Sequence, residues 1–163
     1  MNPNSSIKEL NQEYRQPQTQ ATVKKPWLNI LSQYTKRLSF DNSYSPYVPH
    51  TRQNQPEINI NINVTANPFS KTDFEVELKI HATASKESNI LFTVELRYAG
   101  CFRLFNIPHH EVERTILIEC PRFLFPFARQ IVAEVTRNGG IPPLMMAPVD
   151  FDALFELRQV KTK

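Results

Sequence analysis

Hydrophobic and polar residues alternate most cleanly over residues 58–64, where Ile58, Ile60, Ile62 and Val64 are separated by Asn59, Asn61 and Asn63. A period of two, β-branched on one face and amide on the other, predicts a strand with one dry side and one wet side. Asn67-Pro68-Phe69-Ser70 supplies a turn. Over 73–84, Phe74, Val76, Leu78, Ile80 and Ala82 alternate with Asp73, Glu75, Glu77, Lys79 and His81, which predicts a second clean strand. A third covers 90–98, with Ile90, Phe92, Val94, Leu96 and Tyr98 on one face, and Lys86-Glu87-Ser88-Asn89 fits a hairpin before it. Gly100 interrupts the pattern ahead of a short strand over 101–105. Upstream, Leu28, Ile30, Tyr34, Leu38 and Phe40 recur roughly every second residue after Trp27 and read as an extended, strand-like segment.

The last third changes period. Val112, Ile116 and Leu117 fall at helical spacing between His109 and Glu119, and Pro121 is expected to end that helix. A second helix is expected from Phe125, with Pro126 in its first turn, where a missing donor has no cost. Its stripe is Phe127, Ile131, Val132 and Val135, and Asn138-Gly139 is its stop. After the apolar loop 140–149, Asp150 is placed to cap a last helix carrying Phe151, Leu154, Phe155 and Leu157. Strands joined by short links and followed by helices define an α+β fold, a four-stranded antiparallel sheet with the helices packed on one face.

Residues 1–26 lack any apolar period and are rich in Asn, Gln, Thr and Lys, so they read as a disordered polar tail in which a short helix over 5–14 has nothing to anchor it. Residues 27–160 form the patterned domain, 41–56 a proline-rich connection within it, and 161–163 a short basic end. The net charge of +3 is uneven. Residues 1–56 hold 7 basic and 3 acidic side chains, against 12 basic and 13 acidic in residues 57–163. No run of Lys and Arg is interleaved with aromatics, so a nucleic-acid groove is not expected.

Three glycines, Gly100, Gly139 and Gly140, cannot build a phosphate-cradling loop. The longest apolar stretches, such as 144–149, fall far short of the ~20 residues that span a bilayer. No charged-then-apolar secretory signal opens the sequence. A soluble chain without a nucleotide cofactor is expected.

Catalytic patterns are missing. His109-His110-Glu111 would need a second histidine at 114 to bind zinc as a metalloprotease does, and Arg114 stands there. His50 lies in the connection and His81 on a polar strand face. Cys101 and Cys120 lack metal or redox spacing and read as reduced thiols. No cofactor, metal or enzyme activity is expected.

What stands out is apolar surface where a core does not require it. Residues 140–149 place Ile141, Leu144, Met145, Met146 and Val149 among three prolines with no charge, whereas loops are normally polar. Phe123, Phe125 and Phe127 crowd the start of a helix. These segments either close over the sheet or form an adaptable groove for apolar, extended chains, the methionines fitting irregular partners.

The stretches CPRFLFPFAR (120–129) and GIPPLMMAPVDFDALF (140–155) resemble the signatures of SecB, the bacterial protein-export chaperone family. YTKRLSF (34–40), QPEININ (55–61) and FEVELKIHATA (74–84) are similar to its strands in order and spacing. The resemblance covers roughly residues 28–157. It implies a homotetramer, a dimer of dimers, that binds unfolded secretory precursors in the cytoplasm and passes them to the SecA motor without nucleotide. By the same resemblance Phe125, Phe127, Ile141, Leu144, Met145 and Met146 line or cover the client groove, some of them doubling as core. Asp41 and Glu95 are the expected SecA contacts, and Val94, Leu96 and Tyr98 the expected subunit-packing positions.

The chain also departs from that family. Arg37 follows the lysine of YTK where relatives carry an acid, Lys161 and Lys163 stand where many have an acidic tail, and the whole chain is basic. These changes bear on the SecA contact and leave the fold and client surface intact. Two other readings fit the same apolar residues: a module binding lipid or another small apolar ligand, and a SecB-like chaperone dedicated to one partner such as an antitoxin.

Overall fold

The computed structural model describes residues 25–43 and 56–161. The segment 5–14, nearly all of the 1–26 tail, the 44–55 part of the connection and the last two residues lie outside the described residues.

Four strands form one sheet: β1 (Trp27–Asn42), β2 (Glu57–Pro68), β3 (Asp73–Lys86) and β4 (Asn89–Phe105). Their spatial order is β1-β4-β3-β2 and every neighbouring pair is antiparallel. β2–β3 and β3–β4 are hairpins, while β1 closes the far side by pairing with β4. The uneven alternation in β1 has a local cause. The pairing slips between Ile30 and Ser32 and between Thr35 and Arg37, so Leu31 and Lys36 are extra residues in bulges.

β4 runs through Gly100 as one strand of 17 residues and is not split into 90–98 and 101–105. Glycine is there for clearance. A Cβ at Gly100 would stand 2.8 Å from the Phe102 ring and 2.9 Å from Leu124 on the helix above. A bare backbone at that point lets the helix approach the sheet closely.

The helical layer also differs from expectation. Helical backbone continues from His109 to Asn138 through α1 (His109–Arg114), a π-helical turn (Thr115–Glu119) and α2 (Cys120–Asn138). Pro121 therefore does not end a helix, and Pro126 lies inside α2. The wide turn, in which the Cys120 N–H reaches back to the Thr115 carbonyl, breaks the regular hydrogen-bond ladder just where Pro121 has no donor to offer. Pro126 leaves the Arg122 carbonyl without its helical partner, and both residues are solvent-exposed, so water can take its place. Gly139 follows the end of α2 as expected, although the left-handed residue is Gly140, at φ 78°. Asp150 caps α3 (Phe151–Lys161) by accepting the Ala153 N–H at 3.0 Å.

One face of the sheet carries the core. Val76, Leu78 and Ile80 of β3 and Val94, Leu96 and Phe102 of β4 are sealed beneath Ile118, Leu124, Ala128 and Val132 of the helical layer. Each such side chain contributes about 1.5–3 kcal/mol on burial.

The opposite face is drier than its alternation suggests. Glu75 and Glu77 are only 8% and 5% exposed. Lys36 lies 2.7 Å from Glu75 and 3.1 Å from Glu77, and Arg97 grips Glu77 through two bonds of 2.6 and 2.9 Å. The Tyr34 hydroxyl donates to Glu75. Tyr34 and Lys36 of β1 reach β3 across β4, where the intervening residue beside Glu77 is Ala99 and a methyl group leaves room. The Lys36 bulge supplies the second cation on this side.

Hydrogen bonds from Arg97 hold the Glu77 carboxyl below its ordinary pKa of 4.5, and those from Lys36 and Tyr34 do the same for Glu75. Because the folded values lie below the unfolded ones, the stabilisation is complete above pH 4.5 and is lost as pH falls through the folded values. Glu77→Gln is expected to cost roughly 1–3 kcal/mol at neutral pH, since it loses a charge-assisted pair. Urea unfolding over acidic pH checks this, the variant showing a flatter decline in stability than the parent below pH 4.5.

Candidate functional site

Residues 141–149 are held onto α2 at Thr136, whose carbonyl accepts the Ile141 N–H at 3.4 Å and whose hydroxyl makes the shorter bond. Thr136 Oγ1 accepts the Leu144 N–H at 2.9 Å and donates back to the Val132 carbonyl of its own helix, also at 2.9 Å. Prolines at 142, 143 and 148 have no N–H to satisfy, so this anchor goes far in fixing the segment. At its far end Asp152 of α3 binds Arg114 at 2.5 Å and also Arg122, which tethers α3 to both sides of the π-helical turn.

This anchoring sorts the six candidate client residues. Ile141, Leu144 and Met146 turn inward and join the core, as does Phe125, whose ring meets Phe151 edge-on at 6.0 Å. Phe127 and Met145 face solvent, 49% and 61% exposed. Phe127 lies above Tyr98 at 6.4 Å between ring centroids, so its ring has a firm backing. Between α2 and the loop is an open recess of about 210 Å³, lined by Gln130, Ala133, Glu134, Arg137, Pro143 and Met145. Two of the six residues are thus an accessible apolar surface and four are its foundation.

The structure adds exposed apolar residues to this surface. Phe123 is exposed one helical turn before Phe127, a spacing of four that places both on the face of α2 away from Leu124 and Ala128. That signal was present in the sequence. Ile58 and Ile60 are also exposed, although they lie on the core side of β2. Their alternation cannot reveal this, because it depends on how far the helical layer extends.

Asp41 and Glu95 come together on the other face of the sheet. Glu95 pairs in register with Ser39 and Asp41 with Thr93, so the two acids lie on adjacent strands with the same facing. Arg37 lies 3.6 Å from Glu95. The non-acidic residue flagged in the sequence is therefore the acid's own ion-pair partner.

The expected subunit-packing positions lie on the core face of the sheet, beneath α2. Val94 and Leu96 have no exposed surface and Tyr98 is buried, all three on the core face. They support α2 from beneath instead of presenting a surface of their own.

Among the described residues, the cysteines and histidines offer no competing site. Burial pushes the Cys120 thiol up to about 12, far from a reactive thiolate. His109 and His110 are exposed at the start of α1. Among the described residues no cluster of three or more His, Cys, Asp and Glu could hold a metal, and no helix is long and apolar enough to cross a membrane.

The family model described as preprotein translocase subunit SecB matches residues 20–162. Proteins named protein-export protein SecB are similar over most of their length. That of Xanthobacter autotrophicus is 54% identical over 133 residues, covering 82% of this chain and 85% of the relative. That of Azorhizobium caulinodans is 52% identical over 135 residues, covering 83% and 84%. Among solved structures, a SecB-like chaperone of Mycobacterium tuberculosis, in complex with an antitoxin peptide, is similar in fold with a TM-score of 0.57. It is 17% identical, over 75% of this chain and 90% of that one. With sheet, helical layer and anchored loop all inside the matched region, the chain belongs to the SecB family.

Proposed function

We propose that this chain is a cytoplasmic, ATP-independent chaperone that holds secretory preproteins unfolded and delivers them to the SecA motor. The observation that carries this reading is the exposed apolar strip of Phe123, Phe127 and Met145 on a rigidly anchored scaffold. An unfolded preprotein exposes apolar stretches that water disfavours, and the strip offers them partial burial. One contact of this size is weak. Several on a single long chain add through effective concentration, so holding becomes strong without any one site being so. A protein that folds quickly hides its stretches first, and selection is then kinetic. Family membership supports the export role. The buried Ile141, Leu144 and Met146 favour it over a small apolar-ligand pocket, because they pack in the core.

The working form in this reading is a homotetramer, a dimer of dimers. Val94, Leu96 and Tyr98 act in it from beneath, by setting the position of α2. Asp41 and Glu95 form the SecA-facing acids. Arg37 reduces that attraction, since the Glu95 charge is already partly neutralised at 3.6 Å.

The double variant Phe127→Ser, Met145→Ser is expected to weaken holding about tenfold or more, at 1.4 kcal/mol per factor of ten. The measurement is the refolding rate of a slow-folding preprotein in a stoichiometric mixture, alongside thermal unfolding of the variant. Refolding at the uninhibited rate with the unaltered chain would remove the chaperone reading. Light scattering should give about four times the 18.9 kDa of one chain, and a monomer would overturn the assembly. Arg37→Asp should tighten binding in a SecA pull-down. An unchanged affinity would show that charge at this position does not govern the contact.

A further inference from the structure

The two edges of the sheet, β1 and β2, are built differently. β1 has two bulges and the adjacent cations Lys36 and Arg37, features that discourage pairing with a further strand. β2 has neither. It pairs with β3 without a register shift along its whole length, and between Glu57 and Pro68 it holds no charge and no proline. Alternate residues of an antiparallel edge strand turn their N–H and C=O groups outward, so a regular edge of this kind is a template for one more strand.

Burial along β2 marks the part that stays open. Val64 is buried and Ile62 partly so, whereas Ile60 and Ile58 are 37% and 45% exposed. Arg158 of α3 donates to the Val64 carbonyl at 3.2 Å, so the helical layer meets the edge at that point. Ile58, Ile60 and Ile62 share the core side of the strand, and Asn59, Asn61 and Asn63 share the other. A segment laid along residues 58–62 therefore meets an apolar row on one face and an uncharged amide row on the opposite face.

We propose that residues 58–62 of β2 hold an extended apolar segment of an unfolded preprotein by strand addition, main chain to main chain, with Ile58 and Ile60 against its apolar side chains. This rests on the chaperone reading and names how the client is held. The strip of Phe123, Phe127 and Met145 offers burial to side chains. Strand addition calls instead for a segment whose own N–H and C=O groups are unpaired, which is a property of an unfolded chain and of no particular sequence. A client that folds withdraws those groups and leaves.

Fluorescence anisotropy on the full chain tests this with a short labelled peptide of alternating Val and Thr. Two further versions carry N-methyl groups, one on every Val and the other on every Thr. Only one set of N–H groups in a docked strand faces β2, so one version is expected to bind about tenfold more weakly and the other nearly as the parent peptide. Equal binding of all three, the result of apolar contact alone, would overturn the proposal, as would equal loss with both methylated versions. Hydrogen exchange gives a second readout: adding the parent peptide should slow the amides within residues 58–62 about tenfold. No added protection would overturn it too, and so would protection already complete in the free chain, the result if another segment or a second copy holds the edge. Ile60→Lys, a charge turned inward at the edge, is expected to weaken the parent peptide about tenfold, with thermal unfolding checking the fold. A chain that fails these tests yet still slows preprotein refolding loses strand addition and keeps the chaperone reading.

Discussion

The close seating of α2 on the sheet is the constraint on which the rest of the molecule depends. A single helical layer has to seal one face of four strands, and an ordinary side chain at position 100 would hold it away. Gly100 brings Leu124 and Phe102 together over bare backbone, and at the other end of α2 Gly139 lies against the Phe40 ring. Phe125 is thereby spent on the interior, while Phe123 and Phe127 are left outside. The recess beside Met145 exists because the chain after α2 must return along that seated helix, and Thr136 fixes its path.

The outer face solves a different problem. Two glutamates in the middle of a sheet cannot be covered by apolar groups without a large desolvation cost. They are covered by their counterions, Arg97 from the neighbouring β4 and Lys36 from β1, which arrives by way of a bulge and over the small side chain of Ala99. The same cross-strand bonds tie an edge strand to a strand two places away. An edge strand with two bulges and two adjacent cations, Lys36 and Arg37, is also a poor template for uncontrolled pairing. Charge on this face is consequently organised before any partner arrives, and Arg37 belongs to that organisation as much as to any docking event.

Under the proposed chaperone reading, these two faces suit a protein that binds without selecting sequence. Client contact calls for apolar groups held outward against their own tendency to be buried, which requires a rigid base. Tyr98 beneath Phe127, and the loop anchored behind Met145, provide it. In the same reading partner contact calls for defined charge, and the opposite face carries paired charge at Glu75, Glu77 and Glu95.

Much of this was legible from the chain alone. The alternation of Ile58, Ile60, Ile62 and Val64, the Asp150 cap and the stop after Asn138 follow from local rules, because each depends on neighbours a few residues away. The family resemblance was legible too, since it rests on contiguous stretches. Local rules failed where a distant element decided the outcome. Gly100 looked like a strand end because nothing nearby announces Leu124 above it. Pro121 looked like a helix end because a π-helical turn before it leaves no mark in composition. Phe125 and Phe127 are two residues apart and alike, yet only the packing of α2 against Phe151 on one side and Tyr98 on the other makes one core and the other surface. Val94 and Leu96 could be assigned a face from their period, but not what covers that face. Sequence determines which residues share a side, since that follows from backbone period. Only the tertiary structure decides which sides are covered, because covering requires an element from elsewhere in the chain to arrive there.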